Sequence, residues 1–129
     1  QVIIPRLKTN LADILIAASK NNLNKIKIKW RKEKCMTIVL CSKGYPGKYT
    51  NNQVIGNLSK IKLKKNLFLH HAGTTFKNNR LVSNGGRVVN ITSLGKNFKN
   101  IRERIIEVLK KIDWKKGFFR KDIGWRVID

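Results

Sequence analysis

A glycine pair followed by an arginine is the most chemically suggestive feature of this sequence. Gly85 and Gly86 stand directly before Arg87. Residues without a β-carbon let backbone N–H groups approach a ligand closely. The guanidinium beside them offers a planar fork that suits phosphate or carboxylate. The alternative is a surface turn with a solvated arginine, and the spacing alone does not decide between the two.

No other cluster of residue types is typical of a catalytic or metal centre. The two histidines are adjacent, at His70 and His71, and the seven acidic residues are scattered along the chain. Cys35 and Cys41 share one apolar run, where a strand would place them on the same face but roughly 20 Å apart. A disulfide between them is therefore excluded, and buried thiols of the kind found in a reducing cytoplasm are expected. We expect no catalytic residue and no metal ligand on this chain.

The basic composition has two interpretations. A formal net charge of +22 over 129 residues is what phosphate neutralisation in a nucleic-acid-binding protein would produce. The lysines are, however, spread over every segment and accompanied by a surplus of asparagine and isoleucine. Aromatic residues, at 8%, do not alternate with them as a base-stacking surface requires. We favour compositional drift, and expect weak, salt-dependent attraction to polyanions but no specific nucleic-acid partner.

Length and hydropathy limit the class of protein. The chain has the length of one domain, and 41% apolar residues are enough to fill a core. No apolar run is long enough to span a bilayer, and the basic start broken by Pro5 does not resemble a secretion signal. We therefore expect no membrane partner and a cytoplasmic location. A first residue of Gln rather than Met suggests a piece cut from a longer chain, or a processed one.

Residue periodicity predicts an α+β domain with a mostly antiparallel sheet and two main helices. Asn10 is the expected cap of a helix over residues 11–20, and Asn97 is the expected cap of a longer one with an apolar stripe from Phe98 to Ile112. The segments expected to be extended are residues 1–5, 24–29, 35–41, 67–69 and 88–91, a hairpin turning at 77–79, and a strand entered at 118–119.

Five motifs in register carry a family resemblance. In chain order they are QVIIPRL at 1–7, SKGYPGKY at 42–49, HAGT at 71–74, SNGGRVVNITSLG at 83–95 and RKDIGWR at 120–126. Each motif is weak alone, but their order and distances closely resemble the C-terminal region of the phosphoribosylamine–glycine ligases. This family, also called glycinamide ribonucleotide synthetases, belongs to the ATP-grasp superfamily. The resemblance covers essentially the whole chain.

The resemblance implies a fold and a function. The family joins glycine to 5-phosphoribosylamine in de novo purine biosynthesis, using ATP and magnesium or manganese. Residues 1–24 would be the tail of the ATP-grasp core, and residues 25–129 a β-rich, barrel–sandwich-hybrid-like C-terminal domain. The family's magnesium ligands and its adenine and triphosphate contacts lie upstream of the position matching Gln1. The chain alone is therefore expected to be inactive, to pack on its ATP-grasp core, and to form one wall of the phosphoribosylamine site.

The resemblance also implies which residues face the substrate. Arg87, after Gly85 and Gly86, would bind the ribose 5-phosphate, whereas a structural role would have it tie the hairpin to the C-terminal strand.

Two more motifs could contribute to the same wall. Tyr45 and Lys43 of the SKGYP loop could cover the same pocket, although the family more often has glycine where Lys43 stands. His71 of HAGT and Thr74 are further candidates, whose alternatives are a hydrogen-bonded core histidine and a turn cap.

Two motifs near the C-terminus have structural interpretations. Asp122 and Arg126 suggest an internal ion pair or a contact with the ATP-grasp core. The aromatic residues Trp114, Phe118, Phe119 and Trp125 are expected in the core.

Two rival functions remain at this point. One is a small basic RNA-binding module, and the other is a free-standing interaction domain descended from the ligase.

Overall fold

Two nine-residue strands at the centre of the molecule support the rest of the fold. The computed structural model describes residues 1–128. The central strands are β1 (Lys34–Ser42) and β5 (Arg87–Gly95). The other strands are β2 (Leu67–His71), β3 (Thr74–Lys77), β4 (Arg80–Ser83) and β6 (Gly117–Phe118). The α-helices are α1 (Ile3–Arg6), α2 (Leu11–Ser19) and α3 (Phe98–Lys111), and short 3₁₀ turns occur at Leu23–Lys25, Leu58–Lys60 and Trp125–Val127.

The main sheet has the strand order β2-β5-β1-β6. Every strand pair within residues 1–128 is antiparallel. In the β1–β5 ladder Ile38 lies opposite Ile91, and a bulge between Leu40 and Cys41 brings Cys41 opposite Arg87. The predicted α+β class with an antiparallel sheet is confirmed.

Helix α3 covers one face of this sheet, as its apolar stripe predicts. The Asn97 side chain caps the helix by accepting a hydrogen bond from the Asn100 N–H at 2.9 Å. Ile101 and Ile105 are fully buried and belong to one core cluster with Ile38 and Ile91. Because these side chains fill the space between helix and sheet, they hold β1 and β5 in one register.

The predicted hairpin is confirmed as β3–β4. Asn78 and Asn79 form its two-residue turn, with φ angles of 48° and 57°, and Lys77 pairs with Arg80 across it. Asparagine tolerates this left-handed backbone better than most residues, which is why the turn forms without glycine.

Two predictions near the N-terminus are wrong. Residues 1–5 are not the tail of a strand, because Ile3–Arg6 forms a short helix. Residues 24–29 alternate like a strand, but the first two belong to the 3₁₀ turn Leu23–Lys25 and residues 26–29 are irregular chain. The nearby pairing is a single bridge between Leu7 and Trp30. A period of two produces a strand only where a neighbouring strand accepts its hydrogen bonds.

Helix α2 forms as predicted but leaves its apolar side chains exposed. The Asn10 side chain caps it by accepting from the Ala12 N–H at 2.9 Å. Leu15 is 59% exposed and Ile16 is 53% exposed, whereas Ala17 is the buried residue of the helix. This face therefore contributes little to the core of the described chain.

The C-terminal predictions are mixed. Trp114 is buried in the core, but Trp125 is 59% exposed, so the prediction that it belongs to the core is wrong. Asp122 pairs with Arg120 at 2.6 Å, rather than with Arg126, which lies over the Trp125 ring. The hydrogen bond from Arg120 holds the pKa of Asp122 below its usual value.

None of the helices described in residues 1–128 has the length and apolar character required to cross a membrane.

Replacing Ile105 by alanine should lower the free energy of unfolding by about 2–5 kcal/mol, because it opens a cavity where α3 meets the sheet. The matched control is Ile16→Ala, which removes the same atoms from an exposed helix position and should change stability by less than about 0.5 kcal/mol. Urea denaturation of both variants measures the difference. Equal effects would show that α3 is not the helix that holds the sheet together.

Candidate functional site

A polar cleft of about 530 Å³ opens where β5 begins. The residues that line it come from the N-terminus, from β1 and the loop after it, from the turns that follow β2 and precede β5, and from β5 itself. They are Gln1, Val39, Tyr45, Tyr49, Ala72, Gly73, Asn84, Gly85, Gly86, Arg87 and Asn90. The cleft thus brings together four of the residues that the sequence singled out: Tyr45, Gly85, Gly86 and Arg87.

The glycine pair is fixed by the end of β1. The Ser42 hydroxyl donates to the Gly85 carbonyl at 2.8 Å, and the Ser42 N–H donates to the Gly86 carbonyl at 2.8 Å. The Gly85 N–H donates to the Asn51 side chain at 2.9 Å. Ser42 is 1% exposed, so these bonds are sheltered from water. The turn is therefore a rigid base for Arg87, and its Gly85 N–H is occupied within the protein.

Gly86 makes room for an aromatic ring. A β-carbon at this position would collide with Cδ2 of Tyr45 and lie 2.6 Å from its Cε2. The Tyr45 backbone is held in turn, because its N–H donates to the Ser42 carbonyl at 3.0 Å. The Tyr45 ring also meets the Tyr49 ring edge-on at 6.1 Å. The absence of a side chain at Gly86 thus serves to place Tyr45 on the wall of the cleft.

Gly73 allows a second close approach of backbone. A β-carbon there would lie 2.6 Å from the Arg87 carbonyl and 3.0 Å from the Asn84 carbonyl. The Gly73 carbonyl accepts from the Asn84 N–H at 2.8 Å. This glycine of the HAGT motif therefore joins the end of β2 to the start of β5, directly beneath the arginine.

Arg87 stands between the polar cleft and a neighbouring apolar cavity. The apolar cavity measures about 450 Å³, and its walls include Val39, Cys41, Tyr45 and Phe119. No acidic residue among residues 1–128 lines either space. Within residues 1–128 the ion pairs are Lys111–Glu107 and Arg120–Asp122. Arg87 is exposed and belongs to neither pair, so its charge is available to an anion.

The charge of Arg87 also affects the pKa of the Cys41 thiol, which lies opposite Arg87 in the β1–β5 ladder. Burial raises the pKa of the Cys41 thiol, and the Arg87 guanidinium offsets part of that increase. The pKa of the Cys35 thiol is also raised by burial, but the charges that oppose the increase there are Arg6 and the N-terminus. Both cysteines are free. The two thiols therefore differ in their sensitivity to Arg87.

Asn90 is a site residue that the sequence reading missed. It is 4% exposed, and its side-chain N–H donates to the Gln1 side chain at 2.7 Å. Its buried Oδ1 has no hydrogen-bond partner within residues 1–128. The signal was an asparagine in the middle of the apolar run VVNIT, since a buried amide needs partners that a strand alone does not supply.

Three other candidates lie outside the cleft lining. His71 Nδ1 and Thr74 Oγ1 share a hydrogen bond of 2.9 Å at the turn between β2 and β3. His71 is exposed, so it is not the core histidine that was the structural alternative. Lys43 is also exposed, and its backbone N–H donates to the Lys116 carbonyl at 2.8 Å.

No group of three or more His, Cys, Asp or Glu residues within residues 1–128 is arranged to hold a metal ion. The part of the chain that the structure describes thus offers no carboxylate cluster suited to magnesium.

Comparison with known proteins identifies relatives of this arrangement. The family model described as "Phosphoribosylglycinamide synthetase, C domain" matches residues 35–126. The chain is 41% identical over 128 residues to a phosphoribosylamine–glycine ligase of Agrobacterium fabrum, covering 99% of this chain and 30% of the relative. It is 38% identical over 130 residues to the chloroplastic phosphoribosylamine–glycine ligase of Arabidopsis thaliana, covering 99% of this chain and 24% of the relative.

A solved structure shares the fold. The crystal structure of phosphoribosylamine–glycine ligase from Thermotoga maritima superposes with a TM-score of 0.67 at 22% identity, over 94% of this chain and 29% of that one. Similarly, the chain spans about 30% of the length of the relative from Agrobacterium fabrum. Because the family model matches most of the sequence, including the start of β5 and both central strands, this chain belongs to the phosphoribosylglycinamide synthetase C-domain family.

Proposed function

We propose that this chain is the C-terminal part of a phosphoribosylamine–glycine ligase. The complete enzyme would make glycinamide ribonucleotide from 5-phosphoribosylamine, glycine and ATP in de novo purine biosynthesis. The chain itself would catalyse no step and would form one wall of the phosphoribosylamine site. The family match favours this function over an RNA-binding module or a free-standing interaction domain. The free thiols fit a cytoplasmic location.

The observation that carries the proposal is an exposed arginine on a rigid turn beside a polar cleft, with no acidic partner within residues 1–128. A sugar 5-phosphate is a compact anion, and a guanidinium can bind it with two parallel hydrogen bonds. Such charge-assisted bonds contribute about 1.5–3 kcal/mol each. Asn84 is exposed and lines the same cleft, and its side-chain amide would offer a further hydrogen bond to the sugar.

The remaining candidates would act around this phosphate. Tyr45 would close one side of the cleft against Gly86. Gly85 would fix the turn. Lys43, His71 and Thr74 lie outside the lining, so their role would be to add positive charge or to stabilise the loops.

ATP and magnesium would be held by parts of the enzyme other than this segment. The described residues provide no carboxylate cluster for the metal. In the complete enzyme, ATP with magnesium or manganese would supply the phosphoryl group that activates the glycine carboxylate. The residues of this chain would bind and orient the phosphoribosylamine.

Residues 1–24 would belong to the ATP-grasp core, with residues 25–129 forming the C-terminal domain. The exposed apolar side chains of the N-terminal segment support this division, because they include Ile3 at 67% and Leu15 at 59% exposure. Apolar side chains at such density are typical of a surface that packs against another domain.

Arg87→Ala tests the phosphate assignment in an enzyme of full family length that carries this segment. The KM for phosphoribosylamine should rise at least tenfold, because the loss of one charge-assisted hydrogen bond weakens binding by roughly that factor. The KM for ATP should change less than about twofold. Arg80→Ala, an exposed arginine at the hairpin, is the matched control and should change neither constant. Unchanged kinetics for both substrates in Arg87→Ala would contradict the assignment.

Alkylation of Cys41 reports on Arg87 in this chain alone. Arg87→Ala should slow the reaction of Cys41 with iodoacetamide near pH 8, because loss of the positive charge raises the pKa of the thiol and less thiolate is present. Saturating ribose 5-phosphate should slow it similarly in the native chain and not further in the variant. Cys35 is the internal control, followed by mass spectrometry, and its rate should not change. A native Cys41 rate unaffected by ribose 5-phosphate would argue against an anion at Arg87.

Gly86→Ala tests the role of Tyr45. The added methyl should displace the ring, so the variant should weaken phosphoribosylamine binding severalfold in the complete enzyme. The double variant Gly86→Ala/Tyr45→Ala removes the collision and distinguishes a steric effect from loss of the ring. If the double variant binds as well as the native enzyme, the ring makes no contact with the substrate.

A further inference from the structure

A second cleft, of about 400 Å³, lies between α3 and the segment that leads into β2. We call it the α3 cleft. It shares no lining residue with the cleft at Arg87, and its volume falls within the range of small-molecule sites. Its walls combine a ring of cations with an apolar base, and none of its residues takes part in the function proposed above.

The segment opposite α3 is anchored to the end of that helix. The Asn57 side chain donates to the Lys111 carbonyl at 2.8 Å and accepts from the Asp113 N–H at 2.9 Å. The Gly56 N–H also donates to the Asp113 carbonyl at 2.9 Å. The cleft is therefore formed before any ligand binds, which reduces the entropy lost on binding.

The cations greatly outnumber the acids around this cleft. Five cationic residues line it together with one carboxylate, that of Glu107. Glu107 is paired with Lys111 at 2.7 Å, and the hydrogen bond from Lys111 and the charges of Lys111 and Lys64 hold its pKa below the usual value. It therefore remains a carboxylate that is already neutralised. The lining cations that have no such partner within residues 1–128 are Lys60, Lys62, Lys64 and Arg104.

Arg104 has an unsatisfied donor. Its Nη2 donates to the Leu94 carbonyl at 2.6 Å, which fixes the guanidinium at the end of β5. Its Nε is buried and has no hydrogen-bond partner within residues 1–128. An unpaired buried donor on a charged group is costly, so Arg104 stands beside the cleft as a cation whose hydrogen bonds are only partly satisfied.

The base of the cleft is apolar. Leu67 and Val108 are buried and Ile61 is half-buried, and all three belong to or pack on the main core. An inorganic anion would leave this surface unused. A ligand that pairs a flat, weakly polar ring with several phosphates would cover the base and reach the lysines at the rim.

We propose that the α3 cleft binds a nucleoside polyphosphate, with its ring on the apolar base and its phosphates against Lys62, Lys64 and Arg104. Isothermal titration of the 129-residue chain with ADP tests this, with inorganic pyrophosphate and adenosine as separate probes. ADP should bind more tightly than either, and its affinity should fall as ionic strength rises. No binding of ADP, or binding of pyrophosphate as tight as that of ADP, would overturn the assignment.

Charge-matched variants separate a site from general attraction to a basic chain. Lys62→Ala/Lys64→Ala should weaken ADP binding about tenfold. Lys99→Ala/Lys110→Ala removes the same charge from exposed positions of α3 outside the cleft and should leave the affinity unchanged. Equal losses in both double variants would mean that ADP is attracted only by net charge.

Two further variants locate the ligand. Glu107→Gln should tighten ADP binding a few-fold, because it removes the one carboxylate that residues 1–128 contribute to the lining and releases Lys111. Damage to the fold cannot mimic a gain in affinity. Arg87→Ala should leave ADP binding intact, and loss of binding in that variant would place the nucleotide in the other cleft. This outcome is independent of the ligase kinetics, so each proposal can fail without the other.

Discussion

The pairing of β1 with β5 beneath α3 is the constraint on which the rest of the structure depends. Ile38 and Ile91 lie opposite each other and are buried against Ile101 and Ile105. A slip of one residue would turn these side chains to the other face of the sheet, at a cost of several buried apolar groups. The register is therefore fixed by the core. The positions of Arg87, and of Ser42 beneath the glycine turn, follow from that register.

Elements with a complete local signal were predictable from the sequence. Helix α3 has a cap and a four-turn apolar stripe, and the β3–β4 hairpin has two asparagines at the positions that need them. The strand predicted from the alternation over residues 24–29 was wrong because a strand also needs a partner strand, which periodicity does not reveal. The prediction that Trp125 is buried in the core was wrong because a large apolar residue indicates burial somewhere, but not against which surface.

The residues of the candidate site were likewise predictable from the sequence only in part. Arg87 and Tyr45 were found because their loops have recognisable turn chemistry, and the fold brings them to one cleft. Asn90 was missed because its environment depends on Gln1, which is 89 residues away along the chain. The role of Gly86 was also not readable from the sequence, since the ring that requires its missing β-carbon belongs to another loop. Contacts between distant segments are what sequence patterns leave undetermined.

The net charge of +22 can now be divided into two parts. Compositional drift, the interpretation favoured from the sequence, would make lysine abundant but would place charge without regard to partners or shape. Arg87 begins β5, and the Arg104 side chain donates to the Leu94 carbonyl near the other end of that strand; both lie outside the two ion pairs found in residues 1–128. In the two proposals above, the specific anion chemistry belongs to these two positions, and the surrounding lysines would raise the local concentration of anions around them.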